Sequence, residues 1–412
     1  MSRLGLVRRE PDYRRLLLAT LGSGAGTYLA AIALTVDIFD RTDSGKWVSA
    51  LLIADFLPII LIGLLLGPLV DRFSRRRLLI ASDLARVLIF AALPFADSAI
   101  AIVVLAGLSG IATGFFRPAV YAGMPNLVSD EDLPNANSIL QAAENLTWMI
   151  GPILGGVLIA AQGPELAYWL NAASFVISAV LLVRIPAHRL QAGTIESRGH
   201  WQDLGDGIRF VLRTRTLFAV LVVWNIVFLG NAAVNVGEVV LAKVSLGAGN
   251  VGFGLLVGTS GLGLTIGSLA ATSLLERFGT RAGYACSIAL MGIGFGLAAV
   301  APTLAVAMAG VLVGSLGNGI AVVCNALLVQ RGAPDELRGR VFTVIMSSNY
   351  AVFGLGMAAA GPLVDEFGAR WLWGAAAIAF LVGSATAALL ARNVDASAAA
   401  SELDDPLAAT SL

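Results

Sequence analysis

The chain has 412 residues, 57% of them apolar and 13% charged, where an ordinary soluble domain carries about 25% charged residues. This composition excludes an ordinary globular enzyme and suits twelve membrane spans of roughly 20 residues, which need about 240 apolar-rich positions. With 27 basic against 27 acidic residues the net charge is zero, so no basic surplus exists to neutralise nucleic-acid phosphates, and nucleic acid is not expected as a partner.

Residues 1–15 read as a cytoplasmic N-terminus, too charged for a signal h-region and followed by no small-residue cleavage site, so the first span is expected to be retained. Apolar windows then predict spans 1 to 6 at Leu16–Phe39, Trp47–Val70, Leu78–Phe95, Ala99–Tyr121, Ile139–Ala161 and Ala167–Ile185. Together these form an N-terminal six-helix bundle over 16–185. A polar cytoplasmic linker follows at 186–216. Within it Trp201, Leu204, Ile208, Val211 and Leu212 recur at helical spacing, with Asp203, Asp206 and Arg209 between them, the pattern of an amphipathic helix lying on the membrane surface. Spans 7 to 12 are predicted at Leu217–Ala242, Gly252–Leu275, Ala282–Ala301, Leu304–Leu328, Val341–Val364 and Trp371–Ala391, a C-terminal bundle over 217–391. The Ala/Ser/Asp-rich stretch 392–412 reads as a disordered cytoplasmic tail.

Twelve spans place both termini on one side. Of the 27 basic residues, Arg41, Lys46, Lys243 and Arg370 fall in the loops of the opposite side, and Arg86 and Arg117 fall within spans. The other 21 lie on the side of the termini, which the positive-inside bias makes the cytoplasm. The halves repeat with an offset of 205 residues: Asp71-Arg72-Phe73 matches Glu276-Arg277-Phe278, Asp130-Glu131 matches Asp335-Glu336, and Gly151 and Gly156 match Gly356 and Gly361. The expected fold is an all-α membrane protein of two pseudo-symmetric six-helix bundles, with a central site between halves that rock about it.

Enzymatic readings find no support. His188 and His200 both lie in the linker, Cys286 and Cys324 both lie in apolar runs, and no Gly-x4-Gly-Lys-Ser/Thr loop is present. No metal site, no cofactor and no ATP-driven step is expected.

The loop Gly67-Pro68-Leu69-Val70-Asp71-Arg72-Phe73-Ser74-Arg75-Arg76-Arg77 resembles the signature between spans 2 and 3 of the major facilitator superfamily, with Ser74 in place of the usual second glycine. The resemblance implies a cytoplasmic gate formed by Gly67, Asp71, Arg72 and Arg75, with Glu276 and Arg277 at the repeated position. Gly151-Pro152-Ile153-Leu154-Gly155-Gly156 in span 5 resembles the antiporter motif of drug exporters in that superfamily. Its glycines permit close helix approach and its proline cannot donate a backbone bond, so a bend is expected there. Met124-Pro125-Asn126-Leu127-Val128, Leu133-Pro134-Asn135-Ala136-Asn137-Ser138 and Glu336-Leu337-Arg338-Gly339-Arg340-Val341 are similar to the branch that includes macrolide-efflux and enterobactin-exporting permeases. The likeness covers spans 1 to 12 and leaves the cargo open.

Charges within spans are costly and tend to mark function. Asp37 and Glu238 lie near the external ends of spans 1 and 7, where solvent can reach them. Asp83 and Arg86, three apart on span 3, are expected to form a structural ion pair. Glu144 on span 5 and Arg117 on span 4 lie at matching depth, so they form either a proton-sensitive coupling pair or a permanent staple. Asp55 on span 2 is a second candidate proton carrier. Tyr28, Phe56, Trp148, Trp224, Asn231, Asn235, Asn318 and Asn325 are the candidate cavity residues, with Asn231 and Asn235 on one helix face and Asn318 and Asn325 on another. Such a lining suits an amphiphilic cargo that is not strongly anionic.

The expected function is proton-driven export of a small hydrophobic or amphiphilic molecule, a drug, siderophore or secondary metabolite, by a monomer in the cytoplasmic membrane. Its partners are that small molecule and the lipid bilayer, and the proton gradient is its energy source. A lysolipid or lipid flippase and a non-transporting membrane receptor remain as alternatives.

Overall fold

The computed structural model describes residues 3–65, 74–129, 131–190, 200–333 and 335–403. Among these, every regular element is a helix, and twelve helices are long and apolar enough to cross a membrane. Lipid offers no partner to a backbone N–H or C=O, so each span must close its own hydrogen bonds, and helices do this. Spans 1 to 6 are the helices Pro11–Thr42, Gly45–Leu65, Arg75–Ala92, Ala99–Gly123, Leu133–Gln162 and Pro164–Val183. Spans 7 to 12 are Arg215–Val240, Gly249–Phe278, Thr280–Val300, Leu304–Gly332, Asp335–Phe367 and Ala369–Leu403. Span 7 runs on into a π-helical turn at Leu241–Ser245.

Span 12 continues to Leu403, into the stretch expected to be disordered. The run Ala-Ser-Ala-Ala-Ala carries strong helix formers, and propensity extends the helix where no tertiary contact is needed. In the linker, the helix His200–Arg213 forms as its apolar spacing predicts. Val211 is buried in a cluster with Leu217, Val220 and Val341, so this helix docks on the base of the second half. The side chains of Trp201, Asp203, Leu204 and Asp206 lie outside the described residues.

The 205-residue repeat of the sequence reappears as packing. Span 1 packs on spans 5 and 6, span 2 on 4, and span 3 on 4 and 6; in the second half span 7 packs on 11 and 12, span 8 on 10, and span 9 on 10 and 12. The repeat reaches single caps. The Ser98 hydroxyl accepts from the N–H of Ala101 at 3.2 Å to start span 4, and Thr303 accepts from Val306 at 3.4 Å to start span 10. Gly163 at φ 79° and Gly368 at φ 82° end spans 5 and 11 in the same left-handed turn, a conformation in which a Cβ is strained.

The two lobes meet along two seams, span 5 against span 8 and span 2 against span 11. These are again related by the offset. A Cβ on Gly156 would meet the Asn250 carbonyl oxygen at 2.7 Å, and one on Gly361 would meet the Gly45 carbonyl oxygen at 2.9 Å. One apolar core joins both lobes. Toward the end that carries the first residues and the linker it divides, with a separate cluster around Tyr13, Leu79, Phe116 and Met124 in lobe 1 and another around Leu217, Val341 and Ile345 in lobe 2. The lobes are therefore joined at the far end and parted at the termini end.

Replacing Gly156 with Leu should keep the lobes from closing on this seam. We expect transport to fall at least tenfold with insertion of the protein in the membrane unchanged, measured as flux per correctly inserted molecule. A Gly156→Leu protein with parental flux would show that the seam need not be tight.

Candidate functional site

Between the parted ends lies a cavity of about 570 Å³. Lobe 1 lines it with Phe56, Ile59 and Ile60 of span 2 and Gly114, Arg117, Pro118 and Tyr121 of span 4; lobe 2 supplies Phe342, Thr343, Met346, Ser347 and Tyr350 of span 11. Span 4 reaches this position through a glycine stripe. A Cβ on Gly110 would meet the carbonyl carbon of Asp55 at 2.9 Å, and one on Gly114 would meet the Ile59 Cα at 3.2 Å. Their absence lets span 2 lie backbone to backbone on span 4, and so fixes Asp55 and Phe56 relative to Arg117.

Arg117 and Glu144, paired on depth alone from the sequence, meet. Arg117 Nη2 lies 3.4 Å from Glu144 Oε2, and the Tyr121 hydroxyl donates to the same oxygen at 3.0 Å. The Arg117 side chain is 54% exposed and that of Glu144 20%, so the guanidinium stands in the cavity while the carboxylate lies behind it. Asp55 is half-buried on span 2 next to Phe56, and the half-buried Tyr28 of span 1 packs at Gly151 of span 5. Spans 4 and 5 thus bring a carboxylate, a guanidinium and a phenol to one wall of lobe 1. Tyr121 was not among the residues singled out by sequence, although its i+4 spacing from Arg117 puts both on one helix face.

Beyond the cavity toward the far end, four rings close a cycle. Phe56 of span 2 stands 5.6 Å from Tyr350 and 5.4 Å from Phe353 of span 11, and Phe228 of span 7 stands 5.9 and 5.7 Å from the same two rings. All four pairs are edge-to-face, the arrangement favoured by the ring quadrupoles. Phe56 is the only contribution of lobe 1 to the cycle.

The other candidates are placed as follows. Trp148 is half-buried where span 5 meets Gly261 of span 8, its ring 3.3 Å from where a Cβ would stand. Asn318 and Asn231 are half-buried; Asn235 is exposed and donates to the Asn231 carbonyl of its own helix at 2.8 Å. Of the eight candidate cavity residues only Phe56 lines this cavity, and two of the others are core. Trp224 and Asn325 are each 3% exposed within lobe 2, and Trp224 packs on Phe228 and Tyr284. Phe116 of span 4 lies in the core of lobe 1 and covers the Arg86 guanidinium at 4.3 Å.

Asp37 and Glu238 are not solvated, at 6% and 8% exposure. Asp37 is held by Arg41 at 2.6 Å and by the Tyr168 hydroxyl at 2.9 Å. Asp83 and Arg86 bond at 2.6 Å, their side chains 0% and 4% exposed.

Of the gate residues, Gly67, Asp71 and Arg72 lie outside the described residues, as does the side chain of Glu276. Arg277 is exposed at the end of span 8. Arg75 donates to the Leu190 carbonyl of lobe 1's own linker at 3.3 Å. In the span 5 motif, Gly151 and Gly155 receive Tyr28 and Leu29 of span 1, while the Pro152 carbonyl and Gly156 face Gly254 of span 8. The motif therefore serves packing inside lobe 1 with one face and the seam between lobes with the other.

Comparison with known proteins agrees with this architecture. The chain is 28% identical over 368 residues to the multidrug efflux pump Tap of Mycolicibacterium fortuitum, covering 86% of this chain and 89% of that one. It is 27% identical over 379 residues to Tap of Mycobacterium tuberculosis, covering 86% and 87%. Among solved structures, the nucleoside transporter NupG superposes with a TM-score of 0.77 at 14% identity, over 92% of this chain and 99% of that one, a likeness of fold. Residues 7–412 match the family model described as transmembrane secretion effector. The match takes in nearly the whole chain, and with the twelve spans and the two-lobed cavity it places this protein in the transmembrane secretion effector family, as a membrane transporter of the major facilitator type and not an enzyme.

Proposed function

We propose that the protein exports a small hydrophobic or amphiphilic molecule in exchange for protons, by alternating access, from a cytoplasmic membrane in which both termini face the cytoplasm. The observation that carries this reading is the Glu144 carboxylate, held by Arg117 and Tyr121 at the wall of a cavity otherwise lined by rings, aliphatic side chains and hydroxyls. With the termini inside, the cavity opens to the cytoplasm. A cargo with an apolar body and an N–H or cationic group enters there and is accepted by the ionised carboxylate. After the lobes rock, a proton from outside neutralises Glu144, the acceptor charge is lost, and the cargo leaves. On return the proton is released inside and the Arg117 pair re-forms. Asp55, near the same wall, is the second proton carrier. The gradient suffices: one proton entering down a pH difference equivalent to 100 mV supplies about 2.3 kcal/mol, a concentration ratio of roughly 50-fold. The names of the Tap relatives, multidrug efflux pumps, support an outward direction and a broad choice of cargo.

The test is flux in reconstituted vesicles with an imposed pH gradient, using ethidium as an amphiphilic cationic probe and labelled lysolipid beside it. Ethidium movement that stops when the gradient is collapsed is the expected result. Lysolipid movement that ignores the gradient would replace this reading with that of a flippase.

A further inference from the structure

We propose that Asp365, at the far end of span 11, is a positioning residue of the transport cycle, whose carboxylate caps the N-terminus of span 2 in the opposite lobe and so sets how often the far end stands open. This rests on the alternating-access reading above and not on its proton coupling. The first backbone N–H groups of a helix have no partner within it and carry partial positive charge. They are ordinarily met by a side chain just before the helix. At span 2 the local side chain, Ser44, accepts only from the Lys46 N–H, at 3.2 Å, and the charge comes from 320 residues away. The Gly45 N–H donates to Asp365 Oδ1 at 2.5 Å, and the Lys46 N–H to Oδ2 at 3.3 Å. The Ser44 hydroxyl donates to Oδ2 at 2.9 Å.

The approach that allows this is specific. A Cβ on Gly361, one turn earlier on span 11, would stand 2.9 Å from both the Gly45 carbonyl oxygen and the Lys46 Cα, so only glycine lets span 11 bring Asp365 to the helix end. Ser49, one turn deeper in span 2, donates to the Met357 carbonyl at 2.6 Å, and Lys243 of span 7 pairs with Asp40 of span 1. All these contacts cross between lobes at the far end. Separation there must break them.

The repeat shows that the cap is not a by-product of the fold. The equivalent seam joins span 5 to the start of span 8, where the position 205 residues before Asp365 is Ala160. That seam has glycine against glycine, Gly156 on Gly254, and no carboxylate in the corresponding place. One seam slides and the other latches.

The test measures the distance between nitroxides on Asp97→Cys and Pro302→Cys, exposed far-end loop positions one in each lobe. The background is the full chain in lipid nanodiscs with Cys286→Ser and Cys324→Ala, without cargo or gradient. The parent should show one short, far-end-closed distance. Asp365→Ala should raise the open-to-closed ratio roughly 5–30-fold, the worth of one charged cap, and Asp365→Asn, which keeps an acceptor oxygen, should fall between. Gly45→Ala is the second variant: its Cβ would collide with Val364 Cγ1 and stand 3.0 Å from Asp365 Oδ1, so it should push span 11 and the cap off the helix end and open the far end with the carboxylate itself unchanged. Should Asp365→Ala not fold, Asp365→Asn and Gly45→Ala decide. Parental distance distributions in the folded variants would overturn the proposal, whatever the pH-gradient flux of the parent shows.

Discussion

Glu144→Gln is expected to give a folded transporter whose residual exchange of cargo, held by the rings and hydroxyls of the cavity alone, no longer answers to a pH gradient. Glutamine keeps the shape of the side chain and an oxygen for the Tyr121 hydroxyl, so the wall of the cavity stays in place. What it removes is the charge facing Arg117 at 3.4 Å and the capacity to take a proton. The stability cost is small, because a partly exposed ion pair contributes about 0–1 kcal/mol. The effect on coupling is large: the cargo ratio held by a gradient equivalent to 100 mV should fall from roughly 50-fold to about one. Counterflow of labelled cargo against unlabelled cargo, with no gradient, separates this outcome from simple inactivation. A variant whose accumulation still follows the gradient would remove Glu144 from the mechanism and leave Asp55 as the carrier.

Arg86→Met should produce the largest loss of stability. Its guanidinium bonds Asp83 at 2.6 Å and lies between the rings of Phe116 and Phe175, 4.3 and 4.2 Å from their centroids. The Asp83 side chain is wholly buried. Removing the cation strands that carboxylate among apolar side chains, for which about 3–5 kcal/mol is the usual cost of a broken buried pair. Thermal unfolding in detergent should show it as a sharply lowered midpoint. Combining Asp83→Leu with Arg86→Met removes both charges and should recover most of the loss. If the single variant melts with the parent, or the double variant melts below the single one, the pair is not what holds span 3 against spans 4 and 6.

Much of this architecture was legible in the residues. Lipid imposes long apolar helices, so hydropathy alone placed twelve spans, and the 205-residue repeat foretold two matching lobes, a likeness that the structure extends to the turns at Gly163 and Gly368. Arg117 and Glu144 could be paired because a charge is rare enough in a span for its depth to be informative. The apolar lining was harder to read. In a soluble protein the polar face of a helix betrays its inward face, but the outer face of a span is itself apolar. Apart from Asp55, span 2 is apolar on every side around Phe56, and the pattern of its apolar residues does not tell cavity from lipid. For the same reason Trp224 and Asn325 were assigned to the cavity, yet lie inside lobe 2. The cap at Asp365 was invisible for another reason, since its partner is 320 residues away and an acid at a span end looks like any solvated loop residue.

Arg117 is the sole charged side chain lining the cavity among the described residues, and it belongs to lobe 1; lobe 2 contributes only rings, hydroxyls and a thioether. On the reading proposed above, the duplicated halves divide the work, lobe 1 coupling to protons and lobe 2 shaping the site for the cargo. Chimaeras that borrow residues 341–350 from a relative should change which molecules are carried without altering the response to a pH gradient, which makes this stretch a natural handle for redirecting transport.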